Sequence, residues 1–273
     1  MQSRNPVLNR EFAGTRYATF HDAPPSPARL QEMYEGAGGS GVGTGVRAMT
    51  IDDVVVKTGM LFVVLVAAAF GGWQLVDRAP AFVVLSLLVA LVLGLVVTFK
   101  RDSSPMLVVL YAAFEGAFLG GISRWYDVYV STVKGTPSGI VTQAIIGTFT
   151  AFAVMLLLYR SGRLRVTPRF TKMMMVALVS YLGIAVVSLI SSFFGVGAGW
   201  GFYGVGGMGL LLCAAGVALA SFTLVLDFDA IERGVRAGLP ERESWRAAFG
   251  LVVTLVWLYL ELLRLLAILN SRN

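Results

Sequence analysis

Five acidic residues lie within or directly after apolar stretches, and they define the chemistry open to this chain. Glu115 and Glu261 each interrupt an apolar run, and Asp227, Asp229 and Glu232 follow the end of another. A charged side chain at membrane depth costs at least about 2.5–3.5 kcal/mol on insertion scales, so each is a functional candidate. Carboxylate oxygens are the ligands of hard cations such as Ca²⁺, and neighbouring carboxyl groups exchange protons. The pattern therefore predicts cation binding and proton sensing.

Each of these residues also has a structural interpretation, and the sequence leaves the alternatives open. Glu261 and Arg264 are three residues apart on one helix face, where they can neutralise each other, and Arg264 can also extend toward the membrane interface. The group after Leu226 can be a solvated helix end. Glu115 has no basic residue within two turns of its own run, so it needs a partner from another helix or a proton.

The apolar runs that carry these acids predict an all-α, polytopic membrane protein. The chain is 56% hydrophobic and 14% charged, against about 25% charged residues in soluble domains. A run of about 20 apolar residues crosses the hydrocarbon core as a helix. Seven such spans are predicted, at residues 58–76, 81–99, 105–122, 140–158, 173–194, 206–226 and 247–269.

The predicted membrane domain covers residues 51–269, between a long tail at residues 1–50 and a short one at 270–273. Proline and glycine dominate the first tail, so we expect it to be disordered and cytoplasmic. Thr50 suits the cap of the first helix, and the following Asp52 and Asp53 suit its positive end. The glycine-rich connection from Gly195 to Gly209 is either a flexible external loop or a segment that dips into a cavity.

Basic residues are distributed unevenly between the two sides of the membrane. The connections on the side of the N-terminal tail hold 13 lysines and arginines near the membrane, and those on the other side hold 3. The positive-inside rule then places the N-terminus in the cytoplasm and the C-terminus outside, in a cell (inner) membrane. The net charge of +6 follows from this asymmetry and does not indicate a nucleic-acid partner.

The motifs of common enzymes are missing from the sequence. It contains no HExxH, GxSxG or Walker motif, a single histidine in the tail and a single cysteine, Cys213, inside an apolar run. We therefore expect no enzymatic activity and no cofactor other than calcium as a transported or bound ion. Gly116 and Gly120 form a small face in the third span, which favours close packing against another helix.

Three segments together make the chain resemble the Bax inhibitor-1/YccA (transmembrane Bax inhibitor motif) family over residues 58–269. They are Phe114-Glu115-Gly116, Leu226-Asp227-Phe228-Asp229 and the run from Leu258 to Leu266, in that order. The tail and the segment from Met49 to Asp53 resemble bacterial, in particular actinobacterial, members. The resemblance implies a seven-helix fold with the last helix at the centre and a pH-sensitive calcium leak across the membrane.

The resemblance also implies roles for individual residues. In the family, an aspartate at the end of the sixth helix pairs with one in the seventh, and a basic residue at the second helix latches onto the first aspartate. Asp227 or Asp229 would take the first role and would bind calcium, and Lys100 or Arg101 would be the latch. Thr254 stands where the second aspartate is usual. We expect Glu261, two turns further along, to compensate together with Glu115.

The leading functional hypothesis is a calcium or cation leak. Its cytoplasmic gate and proton sensor would be Asp227, Asp229 and Glu232, its path would be lined by Glu115 and Glu261, and Arg264 would pair with Glu261. A rival hypothesis is an interaction protein that does not transport and regulates a membrane protease or another membrane complex. A third is a proton-coupled carrier, which would show saturable exchange.

Overall fold

The computed structural model describes residues 26–27, 47–100, 104–137, 139–195, 201–204 and 206–272. Seven α-helices, each long and apolar enough to cross a membrane, account for most of these residues. They are α1 (Ile51–Leu75), α2 (Ala81–Phe99), α3 (Pro105–Lys134), α4 (Ile140–Arg160), α5 (Pro168–Phe193), α6 (Gly207–Arg236) and α7 (Glu243–Arg272). A short 3₁₀ helix, Gly201–Tyr203, precedes α6. The all-α, seven-helix fold predicted from the sequence is confirmed.

Local sequence explains where several helices begin. Thr50 caps α1, and its hydroxyl accepts a hydrogen bond from the Asp53 backbone while the Asp53 carboxylate accepts from the Thr50 backbone. This reciprocal pair satisfies two backbone donors that a helix start leaves free. Pro105 and Pro168 occupy the first positions of α3 and α5, where proline loses no intrahelical hydrogen bond.

The last helix is the centre of the bundle. α7 packs against α1, α3, α4 and α6, and its buried residues contribute to four hydrophobic clusters. In contrast, α2 packs mainly on α3, and α5 packs on α6 and the 3₁₀ helix. Residues that project from α7 in different directions therefore face different neighbouring helices.

Glycines bring α1 and α3 into backbone contact. A side chain at Gly116 would overlap the carbonyl oxygen of Leu65, and one at Gly120 would overlap that of Ala69. On the same helix, Gly121 lies against the side chain of Val83 in α2. The small face predicted in the third span thus serves packing, which fixes the depth and rotation of α3.

The helices alternate in direction, and polar contacts gather their ends at two faces. At the N-terminal face, defined here by the start of α1 and the end of α6, the Met49 amide donates to Leu239 at 2.7 Å and Lys57 donates to Ser244 at 2.6 Å. At the C-terminal face, defined by the ends of α3 and α7, Lys134 donates to Asn270 at 2.6 Å.

Two helices continue well beyond their predicted spans. α3 reaches Lys134 and α6 reaches Arg236, whereas the spans end at residues 122 and 226. These extensions carry Asp227, Asp229 and Glu232 on continuous helix. In the glycine-rich connection, residues 196–200 and 205 lie outside the described residues, as do residues 1–25 and 28–46 of the tail. The described part holds Tyr203, which is buried.

Candidate functional site

The contact between α6 and α7 positions the first candidate, Asp227. Small or apolar residues recur on the face of α6 that also carries Asp227, and we call this face the α6–α7 seam: Cys213, Gly216, Ala220, Leu224 and Asp227. The Thr254 hydroxyl on α7 donates to the Asp227 carboxylate at 2.6 Å. Asp227 is half-buried, and it forms no ion pair within the part of the chain that the structure describes.

Asp229 and Glu232 do not join Asp227. Residues two apart on a helix point in directions about 200° apart, so the Asp229 carboxylate leaves the seam and pairs with Arg233 at 2.8 Å. Glu232 pairs with Arg236 at 2.7 Å and accepts a hydrogen bond from Tyr159. Two of the three acids predicted to form one gate therefore pair with arginines on another side of α6, apart from Asp227.

The predicted calcium site at Asp227 and Asp229 stays a prediction. The two residues project from α6 in directions about 200° apart. Among the described residues, no group of three or more histidine, cysteine, aspartate or glutamate side chains is arranged to hold a metal ion. A cation at Asp227 would therefore meet a single carboxylate and the Thr254 hydroxyl.

Glu115 lies in the middle of α3 and is 8% exposed. It forms no hydrogen bond or ion pair with another described residue. Its neighbours on the same face of α3, Tyr111 and Leu119, belong to a cluster with Phe249, Val252 and Val256 of α7. Glu115 therefore faces the central helix through an apolar surface.

Paired contacts fix the depth of Glu115 relative to α7. The rings of Tyr111 and Phe249 lie 4.9 Å apart, and the hydroxyls of Ser123 and Tyr259 are hydrogen-bonded at 2.6 Å. The two helices run parallel, so Glu115 lies at about the level of Val252. This is also the level of Thr254 and hence of Asp227, which lies on the opposite side of α7 because Val252 and Thr254 project about 200° apart.

Glu261 occupies a polar cage at the other end of the seam. Its carboxylate accepts hydrogen bonds from the Tyr181 hydroxyl at 2.6 Å and from the Trp257 indole at 3.1 Å. Gly216 makes room for the cage, since a side chain there would lie 2.6 Å from the Glu261 carboxyl carbon. The second carboxylate oxygen is buried without a hydrogen-bond partner among the described residues.

The predicted compensation between Glu261 and Glu115 is not present. Glu261 projects from α7 toward α5 and α6, about 180° from Val252, whereas Glu115 approaches the side of Val252. It also lies nine residues beyond Val252, or about 14 Å along the helix axis. The two carboxylates therefore lie on different sides of α7 and at different depths.

Arg264 does not form the predicted ion pair with Glu261, because no nitrogen–oxygen distance within 4 Å joins these two described residues. Its guanidinium group lies over the ring of Tyr203, 4.3 Å from the centroid. The carboxylate of Glu261 accepts hydrogen bonds from two neutral donors instead, Tyr181 and Trp257.

The predicted latch is also absent from the described residues. Lys100 is exposed at the end of α2, and its carbonyl oxygen accepts a hydrogen bond from Arg246 of α7. It forms no ion pair with Asp227. Arg101, the second candidate latch, lies outside the described residues.

Several residues of this arrangement carried no recognisable signal in the sequence. Tyr181, Trp257 and Tyr203 surround Glu261 and Arg264. In the sequence they cannot be told from other aromatic residues in or beside apolar runs. Lys57 is a similar case: it donates to Ser244 and pairs with Glu241 at 3.2 Å, which joins the start of α1 to that of α7. The signal that the sequence offers for Lys57 is its position close to the start of a predicted span.

A family described as Bax inhibitor 1 like matches residues 5–271. The chain belongs to the Bax inhibitor 1 like family. No match was found among curated proteins.

The Asp227–Thr254 contact shows what the threonine does at the position of α7 where the family usually has an aspartate. Thr254 meets the sixth-helix aspartate directly, so it occupies the partner position that the resemblance assigns to a second aspartate. This member of the Bax inhibitor 1 like family therefore joins α6 and α7 through a hydroxyl and one carboxylate. The family match covers all seven helices.

Proposed function

We propose that this protein is a cation leak, with Ca²⁺ as the first ion to test, and that the Asp227–Thr254 contact is its gate. The observation that carries the proposal is the set of acidic side chains in the bundle interior. Asp227, Glu115 and Glu261 each lie inside the bundle without an ion-pair partner among the described residues. Acidic groups at membrane depth mark ion pathways in membrane proteins.

The arrangement favours cations over anions. An uncompensated carboxylate in a low-dielectric interior attracts a cation far more strongly than it would in water. Asp227 and Glu115 lie at one level on two sides of α7, and Glu261 follows toward the C-terminal face. A cation that passes along the α6–α7 seam would therefore meet Asp227 and then Glu261, and acidic side chains along a pathway select cations in channels.

The gate in this proposal depends on one hydrogen bond. The Thr254 hydroxyl donates to Asp227 and joins α6 to α7. Two facing carboxyl groups would titrate as a coupled pair, but a threonine does not titrate. We therefore expect the pH dependence of the flux to follow the titration of about one proton. A coupled carboxyl pair would give a steeper response.

The test is Ca²⁺ entry into dye-loaded liposomes that contain the purified protein, measured from pH 5 to 8. Asp227→Asn is compared with Asp229→Asn, a matched control with the same chemical change two residues away on another side of α6. Glu115→Gln is measured in parallel. We expect Asp227→Asn to change the rate and remove its pH dependence, Glu115→Gln to lower the rate, and Asp229→Asn to behave like the unmutated protein.

The other outcomes are also informative. An equal effect of Asp227→Asn and Asp229→Asn would show that the whole acidic group at the end of α6, and not Asp227 alone, forms the gate. Entry no faster than in empty liposomes, with protein shown to be folded by its unfolding transition, would contradict the leak. Saturable exchange in place of a leak would favour the proton-coupled carrier.

A second function is favoured by one observation on the N-terminal face. The end of α4, the start of α5 and the connection between them present exposed cations, namely Arg160, Arg163, Arg165, Arg169 and Lys172. None of them forms an ion pair within the described ranges. An acidic surface of a membrane-protein partner would complement this connection. If flux is absent, capture of such a partner that is lost on charge reversal of these residues would support the interaction role.

A further inference from the structure

A cavity of about 250 Å³ opens near the C-terminal face, away from the proposed gate. Its walls come from α3, from the described part of the connection before α6, and from α7. Four aromatic side chains and one arginine dominate the lining: Trp125, Tyr126, Tyr129, Tyr203 and Arg264. An arginine in an aromatic-walled cavity of a membrane protein needs an explanation that the gate does not supply.

Arg264 lines the cavity and has no ion-pair partner among the described residues. Its guanidinium group stacks over Tyr203 and contacts the Tyr126 hydroxyl, and its Nε–H is buried without an acceptor among the described residues. Glu261, one turn earlier on α7, accepts hydrogen bonds from Tyr181 and Trp257 instead. A buried donor without a partner is unfavourable. The planar guanidinium matches phosphate oxygens in a two-point geometry.

The depth and exposure of the walls identify the direction from which a ligand would enter. Trp125 is 41% exposed and Tyr129 is 43% exposed, so both face the lipid. Tryptophan and tyrosine concentrate at the membrane interface. Arg264 lies eight residues before Arg272, about 12 Å from the end of α7, which brings its long side chain within reach of the boundary between hydrocarbon and headgroups. The cavity therefore opens toward lipid at headgroup depth.

We propose that this cavity binds one anionic phospholipid, with the lipid phosphate on Arg264 and the adjacent glycerol and first acyl carbons between the aromatic walls. The apolar walls fit the lipid carbons, and the single cation fits the phosphate. A free phosphate ion would find one charged donor group and no further cation among the described residues that line the cavity, so the lipid is the source of the phosphate that the site favours.

The test measures retained lipid by native mass spectrometry of protein extracted from nanodiscs that contain phosphatidylcholine with graded phosphatidylglycerol. The variants are Arg264→Gln, Arg264→Lys and Ser271→Phe, the last of which fills the rim of the cavity and keeps the arginine. Arg124→Gln is the matched control, because Arg124 lies beside Trp125 but pairs with Asp77 at 3.2 Å. Each variant is first shown to be monodisperse with a cooperative unfolding transition.

We expect one phosphatidylglycerol to remain on the unmutated protein and on Arg124→Gln, with an apparent affinity at least tenfold lower for Arg264→Gln. Arg264→Lys should give an intermediate value, and Ser271→Phe should lose the lipid although the charge remains. Retention by Arg264→Gln and Ser271→Phe would overturn the proposal. Equal retention of phosphatidylcholine would overturn the preference for anionic lipid, and displacement by millimolar inorganic phosphate would overturn the lipid as the source.

Discussion

Replacement of Thr254 by valine is the sharpest perturbation of the proposed gate. Valine keeps the shape of threonine and removes the hydroxyl that donates to Asp227 at 2.6 Å. Thr254 is 6% exposed, so the methyl group enters space that is already packed. The change therefore removes one hydrogen bond between α6 and α7 and leaves the carboxylate in place.

The expected size follows from the type of hydrogen bond. A hydrogen bond to a charged group contributes about 1.5–3 kcal/mol, and the half-buried Asp227 retains some access to water, which favours the lower part of this range, about 1.5–2 kcal/mol. If that free energy holds the closed conformation, its loss multiplies the open population about 10- to 30-fold, because each 1.4 kcal/mol is a factor of ten. The Ca²⁺ leak at fixed pH should increase by the same factor while the closed state still dominates.

The assay is the initial rate of Ca²⁺ entry into liposomes with equal amounts of protein, for Thr254→Val and for Thr254→Ser. Serine keeps the hydroxyl and is the matched control, so its rate should stay within about twofold of the unmutated protein, equivalent to about 0.4 kcal/mol. Equal rates for valine and the unmutated protein would refute the reasoning that this hydrogen bond holds the gate closed. A faster leak with serine as well would show that packing of the methyl group, and not the hydroxyl, matters.

Three further predictions concern stability in detergent, measured as shifts of the thermal unfolding midpoint. Gly120→Ala should destabilise the protein by the upper part of about 1–3 kcal/mol, because the added methyl group overlaps backbone atoms of α1. The control Gly59→Ala meets open space and should change the midpoint little, and similar midpoints for the two variants would refute the close α1–α3 contact. Glu261→Leu should cost about 1–3 kcal/mol for each of the two donors, Tyr181 and Trp257, that it leaves without an acceptor. Glu261→Gln should keep most of the stability, because its amide oxygen can accept from Tyr181. Equal midpoints for the leucine and glutamine variants would contradict the cage. Lys57→Met should cost about 1–2 kcal/mol, since the lysine side chain is 12% exposed and donates to Ser244; an unchanged midpoint would show that this contact does not stabilise the N-terminal face.

The sequence could predict the seven helices because lipid imposes a strict rule. Each span must satisfy its backbone hydrogen bonds internally and present apolar side chains, so hydropathy and length are sufficient signals. The start of α1 at Thr50 and the role of Gly116 and Gly120 in packing were also predictable, since caps and small faces are local patterns. The ends of α3 and α6 were not, because a helix that emerges from the membrane no longer needs an apolar sequence.

The candidate site was predicted in its residue types but not in its pairs. Asp227, Glu115 and Glu261 were recognisable because a carboxylate in an apolar run is costly wherever the helix packs. Their partners depend on the rotation and depth of each helix. The separation of Glu115 from Glu261 follows from the side of α7 that each one faces. Asp229 lies apart from Asp227 because two residues of helix rotate a side chain to another face.

By itself, the sequence determined the solvent, the number of helices and the acids that must be explained, because these follow from the cost of placing each residue in hydrocarbon. Only the tertiary structure decided that Asp227 meets Thr254, that Glu261 is caged by Tyr181 and Trp257, and that Arg264 lies over Tyr203 beside a cavity. The physical reason is that helix packing sets rotation and depth through many small contacts along α7. A contact such as that between residues 181 and 261 exists only once those rotations are fixed.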